Sequence, residues 1–333
     1  MTNKNLRPEK TGQLNFGIDF GSKSNRLSGT IEVYDKRNID LISSNNIDPT
    51  TGLSAANYNV ADMHGRGLSF NLQTVNVKLP DFSWVSSFFL SSNKVSITKI
   101  YTDPEASGFG GLLSVGGIKG LGNDINGIYA VRWGGLSPTD GSPLLISGGK
   151  PTNDYLTVFF EPLDSLRYMG STTPKFFGSL RNSITYKGFS VSFNILYKLG
   201  YYFRRPQNTS LVNYASMVAG SQLPPAEYEK RWQKPGDELH TNVPAFVYPV
   251  DAFYMFAYAY ADINVLRADN VRLQEINISY AFPKKIGLFK GASLHGSIQN
   301  LGIIWRANKY GLDPDVLDIP LPHTYSIGFS TNF

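Results

Sequence analysis

A chain of 333 residues with 41% hydrophobic, 13% aromatic and only 17% charged residues is long and aromatic enough to fold, which excludes disorder. No window reaches the ~18 consecutive apolar residues of a membrane helix, so a helical membrane protein is excluded; a barrel, whose strands interleave lipid-facing and lumen-facing residues, is not. The absence of cysteine removes disulfides and thiolate chemistry, and the net charge of +5 is scattered, without the basic patch and stacking aromatics of a nucleic-acid surface.

Met1-Thr2-Asn3-Lys4-Asn5-Leu6 lacks the apolar core of an export signal, so the chain is expected to be incomplete, processed or one piece of a split protein. Period-two alternation then begins and recurs over nearly the whole length. Leu14, Phe16, Ile18 and Phe20 share one face against Gln13, Asn15 and Asp19. After a turn at 21–25, Leu27, Gly29, Ile31 and Val33 repeat the apolar face, which predicts a hairpin. Residues 64–78 and 82–97 predict a second hairpin about Leu79-Pro80-Asp81, with a bulge or register change after Leu72. Residues 175–186 and 189–203 form the clearest pair, joined by Lys187-Gly188, with Phe189, Val191, Phe193, Ile195, Tyr197, Leu199, Tyr201 and Phe203 on one face of a single long strand and Ser190, Ser192, Asn194 and Lys198 on the other.

Further on, Ile276, Ile278, Tyr280 and Phe282 oppose Glu275, Asn277 and Ser279 within 268–282, and Leu294, Gly296 and Ile298 oppose Ser293, His295, Ser297 and Gln299 within 290–304. A closing strand at 323–333 places Tyr325, Ile327, Phe329, Thr331 and Phe333 together. The expected fold is all-β, an antiparallel transmembrane barrel section of about nine strands. On each, Asn15, Asp19, Glu275, His295 and Gln299 are the expected lumen-facing residues. Short turns at 21–25, 79–82, 187–188 and 283–288 alternate with long connections at 41–63, 98–172, 205–264 and 306–321, the parity of periplasmic turns and external loops. Single-chain bacterial barrels have even strand numbers, and an open sheet in lipid leaves edge amides unpaired at several kcal/mol each, so the remaining strands are expected from elsewhere.

Little in the sequence points to bond chemistry. His64, His240, His295 and His323 are scattered without metal-ligand spacing, and no Ser/His/Asp or paired-carboxylate constellation presents itself, so neither metal nor catalysis is expected. Asp313-Pro314-Asp315 with Asp318, and Asp48-Pro49 with Gly52, read as turn chemistry before calcium loops. Gly108-Phe109-Gly110-Gly111 and Gly116-Gly117 read as an external loop, since no Walker lysine follows. The expected ligand or partner contacts are the loop aromatics Tyr129, Trp133, Trp232 and Tyr248. The run from Phe253 to Tyr260 reads as membrane girdle or intraloop packing leading straight into a strand.

An ordered set of segments resembles the SusC/RagA-type TonB-linked outer-membrane transporters of the Bacteroidetes. It comprises NLRPEKTGQLNFGIDFGSKSNRLSGTIEVYDKRNIDLI at 5–42, NVADMHGRGLSFNL at 59–72, GSTTPKFFGSLRNSITYKGFSVSFNILYKLG at 170–200, RWQKPGD at 231–237, VRLQEINISYAFPK at 271–284, QNLGIIWRANKYGLDPDV at 299–316 and LPHTYSIGFSTNF at 321–333. The match weakens in 98–172 outside YAVRWGGLSPTDG at 129–141, and His64 and Leu68 stand where the family usually carries Asn and Glu. The resemblance implies a 22-stranded barrel with an N-terminal plug, a TonB-contacting segment and a SusD-like lipoprotein lid. This chain then corresponds to the C-terminal portion of one barrel domain, 1–333, without plug or TonB box, and Phe333 resembles the C-terminal barrel-assembly signal. The implied function is import of glycans or peptides, without cofactor, with outer-membrane lipid, the remaining strands and plug, the lid and TonB as partners. A non-transporting scaffold subunit and a soluble β-rich surface protein are the competing readings.

Overall fold

A computed structural model describes residues 4–46, 55–101, 122–161, 165–206, 227–249, 252–282, 291–317 and 320–332. In chain order the strands are β1 (Lys10–Gly21), β2 (Leu27–Asn46), β3 (Ala55–Lys78), β4 (Phe82–Ile100), β5 (Gly127–Ala130), β6 (Trp133–Leu136), β7 (Pro143–Ser147), β8 (Lys150–Thr152) and β9 (Arg167–Ser171). They continue as β10 (Phe176–Tyr186), β11 (Phe189–Leu199), β12 (Tyr202–Arg204), β13 (Val265–Arg267), β14 (Asn270–Phe282), β15 (Gly291–Arg306) and β16 (Thr324–Asn332). Two short helices, α1 (Tyr155–Phe159) and α2 (Ala252–Ala259), lie in the long connections.

The main sheet has 9 strands in the order β1-β2-β3-β4-β10-β11-β14-β15-β16, every pair antiparallel, and it is open, with edges at β1 and β16. Its register carries the sequence alternation across strands. Leu72, Phe88, Leu180 and Ile195 stand directly opposite one another in turn. The apolar side is left uncovered, with Leu14 74%, Phe16 63% and Ile327 88% exposed. In water such a face would be an aggregation surface; facing lipid, it is the solvent-matched side. Trp84, Tyr186, Phe189 and Tyr280 line up at the short-turn end of that face, where aromatic rings mark the membrane boundary.

Turn chemistry sets the register. Lys187 and Gly188 both have positive φ, 45° and 84°, as a two-residue hairpin turn compatible with strand twist requires. The expected irregularity in β3 is a register shift between Val75 and Val77.

The long connections and the strands that enter them differ from expectation in four ways. Strands β2 and β3 run to Asn46 and from Ala55, so most of the expected loop at 41–63 is a paired hairpin. Its residues mix polar and apolar types without strict alternation, and Val60 and Ala61 are buried against Ile97 of β4, so the stretch carries no clear period-two signal. Within 98–172, the described residues build two small sheets, β5-β9 and β6-β7-β8, and the helix α1. The strand expected at 189–203 ends at Leu199, because Gly200 (φ 76°) turns the chain off the wall; Tyr201 and Phe203 are buried with Ala268. The run 253–260 is helical, not girdle: its alanines favour helix, and a segment apolar all round must be buried on several sides. The turn at 283–288, the glycine runs at 108–117, Asp48-Pro49, Gly52, Asp318 and Phe333 lie outside the described residues.

Alanine at Gly200 would strain this left-handed corner and approach Lys175 Cβ at 3.0 Å. Gly200→Ala is expected to cost about 1–2 kcal/mol and to lower the unfolding temperature of the detergent-solubilised protein in a circular-dichroism melt.

Candidate functional site

The polar face of the sheet is one side of the candidate site. Ser28, Gln73, Ser87, Arg181, Asn194, Glu275, Gln299 and Thr324 follow one another in register from β2 to β16 as a continuous polar row. Arg181 Nη1 lies 3.8 Å from Glu275 Oε1 and its Nη2 donates to Ser192 Oγ at 3.5 Å. Asp19 accepts a 2.6 Å bond from Thr30 Oγ1, and Asn15 accepts one of 2.7 Å from Gln13 Nε2. A concavity of ≈ 570 Å³ opens here, lined among others by Asp19, Thr30, Asn71, Ser87, Arg181 and Asn194. Lower on the same face the His295 ring lies over Gly328, where a Cβ would come within 2.0 Å of Nε2, so the missing side chain makes room for the imidazole. Asn15, Asp19, Glu275, His295 and Gln299 therefore share one side of the sheet, opposite the exposed apolar residues.

The second part is a folded module built from the long connections. Trp133 lies at the meeting point of three clusters, one around Val131, Leu145, Val158 and Ala257, one around Val243, Tyr254 and Tyr258, and one around Leu136, Trp232 and Ala245. Two adjacent arginines pin the module. Arg204 Nη2 donates to Tyr129 O at 2.6 Å and Nη1 to Ala259 O at 3.2 Å, and the guanidinium lies 4.7 Å over the Tyr260 ring. Burial pushes its pKa down to about 10. Arg205 Nε donates to Asn264 Oδ1 at 2.5 Å and Nη2 to Tyr258 OH at 2.7 Å, and Nη1 pairs with Glu227. Burial pushes the Tyr258 phenol up to about 12, and Arg205 works against that shift.

Wall and module join at a polar seam. Asp269, 1% exposed, accepts the Gly200 amide at 2.6 Å and pairs with Arg267. Arg272 Nη2 donates to both Asp313 oxygens at 2.7 Å, and Lys198 pairs with Asp315 at 2.8 Å. The Asp313-Pro314-Asp315 carboxylates are thus engaged by cations, and the Asp315 amide donates to Asp313 Oδ1 at 3.0 Å, a local turn. Among the described residues no group of three or more His, Asp or Glu is arranged to hold a metal ion.

The four expected contact aromatics fare differently. Tyr129 is buried against Tyr168, with its hydroxyl accepting from Asn123 Nδ2 at 2.8 Å. Trp232 is buried with Leu136 and donates Nε1 to Glu238 Oε2 at 3.1 Å. Trp133 is held among the clusters, and Tyr248 is 73% exposed. Sequence reasoning missed Arg204 and Arg205; an Arg-Arg pair directly following the aromatic stretch at 201–203 was the available signal.

With an open antiparallel wall, an uncovered apolar side, a polar side and elaborate connections at one end, similarity to known proteins can be weighed. No family model matches the chain. The SusC TonB-dependent receptor of Bacteroides thetaiotaomicron is 25% identical over 349 residues, covering 99% of this chain and 32% of that receptor. The TonB-dependent receptor P26 of Formosa agariphila is 25% identical over 345 residues, 94% of this chain and 32% of its own length. The solved RagAB peptide transporter superposes with a TM-score of 0.75 at 20% identity, over 99% of this chain and 36% of the matched one. The chain is SusC/RagA-like, and its sheet is a section of an outer-membrane barrel. It spans about a third of the length of these curated relatives, which are receptors rather than enzymes by name.

Two outcomes test the module. Arg205→Met removes one partner of a buried pair and should cost about 3–5 kcal/mol, seen as new limited-proteolysis cuts in 227–267 while the wall strands stay protected. Glu238, held below the usual carboxylate range by backbone N–H groups and the Trp232 indole, stabilises the folded loop above its unfolded pKa and loses that contribution as pH falls through the lower folded value. Tryptophan fluorescence should therefore show an acid step that Glu238→Gln abolishes.

Proposed function

We propose that the chain is the C-terminal portion of the barrel domain of a SusC-like TonB-dependent importer of glycans or peptides, working beneath a SusD-like surface lipoprotein. The carrying observation is the unbroken polar row from Ser28 to Thr324 backed by an uncovered apolar face, which suits a wall between a wet conduit and lipid. The open edges at β1 and β16 call for further strands, since unpaired amides in hydrocarbon each cost several kcal/mol. A plug would occupy the conduit and receive the pull of TonB. The module around Trp133 supports the reading of an outer vestibule. The chain performs no bond chemistry in this scheme. Peptides are the first cargo class to try, because the RagAB transporter is described as a peptide transporter.

The test is uptake of fluorescent oligopeptides and oligosaccharides by cells carrying the complete protein. Loss of uptake of one class on deleting its gene, and equally on deleting tonB, is the expected result. Uptake unchanged in both deletions, with other envelope components lost from the membrane, would establish a scaffold subunit instead.

A further inference from the structure

One charged cluster lies on the side of the sheet that should carry none. Asp35 belongs to the apolar face of β2, two residues beyond Val33, and its cross-strand neighbours are Leu14, Arg66 and, one strand further, Lys94. Arg37 and His64 form the next pair above on the same face. Asp35 Oδ2 accepts from His64 Nε2 at 2.7 Å and from Arg66 Nε at 3.0 Å, and Arg37 Nε lies 3.6 Å from Oδ1. Two guanidinium groups thus flank one carboxylate, and Lys94 stands directly opposite Arg66 on the next strand. Like charges so placed repel, and exposed ion pairs return too little to offset that. Arg37 and Arg66 remain 71% exposed, with guanidinium forks able to engage a further anion.

The height of the cluster identifies that anion's surroundings. From Leu27 at the short-turn end to Arg37 the strand runs roughly 33 Å at ~3.3 Å per residue, which at a barrel tilt of about 40° is a rise of ~25 Å, the height of the apolar band. Directly below are Val33, Leu68 and Phe70. Acyl chains on those residues would bring a headgroup level with Arg37, Arg66 and Lys94. We propose that this cluster binds the phosphate of a phosphorylated outer-leaflet glycolipid, Asp35, itself bonded to His64, holding the two guanidinium groups in place to receive it.

The experiment uses the complete protein in detergent micelles with bis-phosphorylated lipid A as probe, its enzymatically dephosphorylated form as comparator, and native mass spectrometry as readout. The phosphorylated lipid should be retained about tenfold more tightly, the worth of one charge-assisted contact. The R37Q/R66Q/K94Q variant should lose that preference. Should the triple variant fail to insert, K94Q alone, at the rim of the cluster, is expected to weaken it by about threefold. Equal retention of both lipids, a preference that survives the substitutions, or full displacement by inorganic phosphate would each overturn the proposal, the last by marking a free-anion site.

Discussion

Everything in this chain depends on the antiparallel backbone ladder. In hydrocarbon a strand has no water to satisfy its amides, so each must pair with a neighbouring strand, and the nine strands are tied into one unbroken order from β1 to β16 although the chain leaves the sheet repeatedly between them. The ladder also converts a one-dimensional alternation into two continuous surfaces. Because side chains change face at every residue, a slip of one position would put Glu275 and Arg181 among lipid tails and Ile276 and Leu180 in the conduit. Register is therefore the quantity that turns thirteen or so residues of mild amphipathicity into a wall, as the residue pattern of transmembrane barrels requires.

The departures from the wall are governed by polar contacts. Gly200 supplies the backbone freedom to leave β11, and the buried Asp269 carboxylate receives its amide at the point where β14 takes over. Above that corner, aromatic packing around Trp133 gives the long connections a core of their own. Arg204 and Arg205, placed one after the other, reach different segments of that core, so the two halves of the module are clamped from a single stretch of backbone.

The legible part of the fold was the part facing lipid. Alternation located Phe189 to Leu199, Ile276 to Phe282 and Leu294 to Ile298, and the short turn at Lys187-Gly188 followed from its residues. Beyond the lipid-facing band the same reasoning fails: Leu41 to Asn46 and Ala55 to Met63 are strand without strict alternation, and the burial of Val60 and Ala61 there comes from packing on Ile97. Phe253 to Tyr260, read as membrane girdle or packing within the loop, packs within the loop as a helix, a conformation set by tertiary contacts that the residue pattern does not show. The burial of Tyr129 and Trp232 depends on partners such as Tyr168 and Glu238 that the residue pattern does not reveal.

The β2-β3 hairpin has a consequence for the cell surface. Strands of 20 and 24 residues are about twice what a bilayer crossing needs, so the pair carries its hydrogen-bonded ribbon well clear of the acyl region. A ribbon braced by its own ladder keeps its shape without help from neighbours in the membrane. Antibodies and bacteriophages approaching an intact bacterium would meet this projecting ribbon before they met the barrel that bears it.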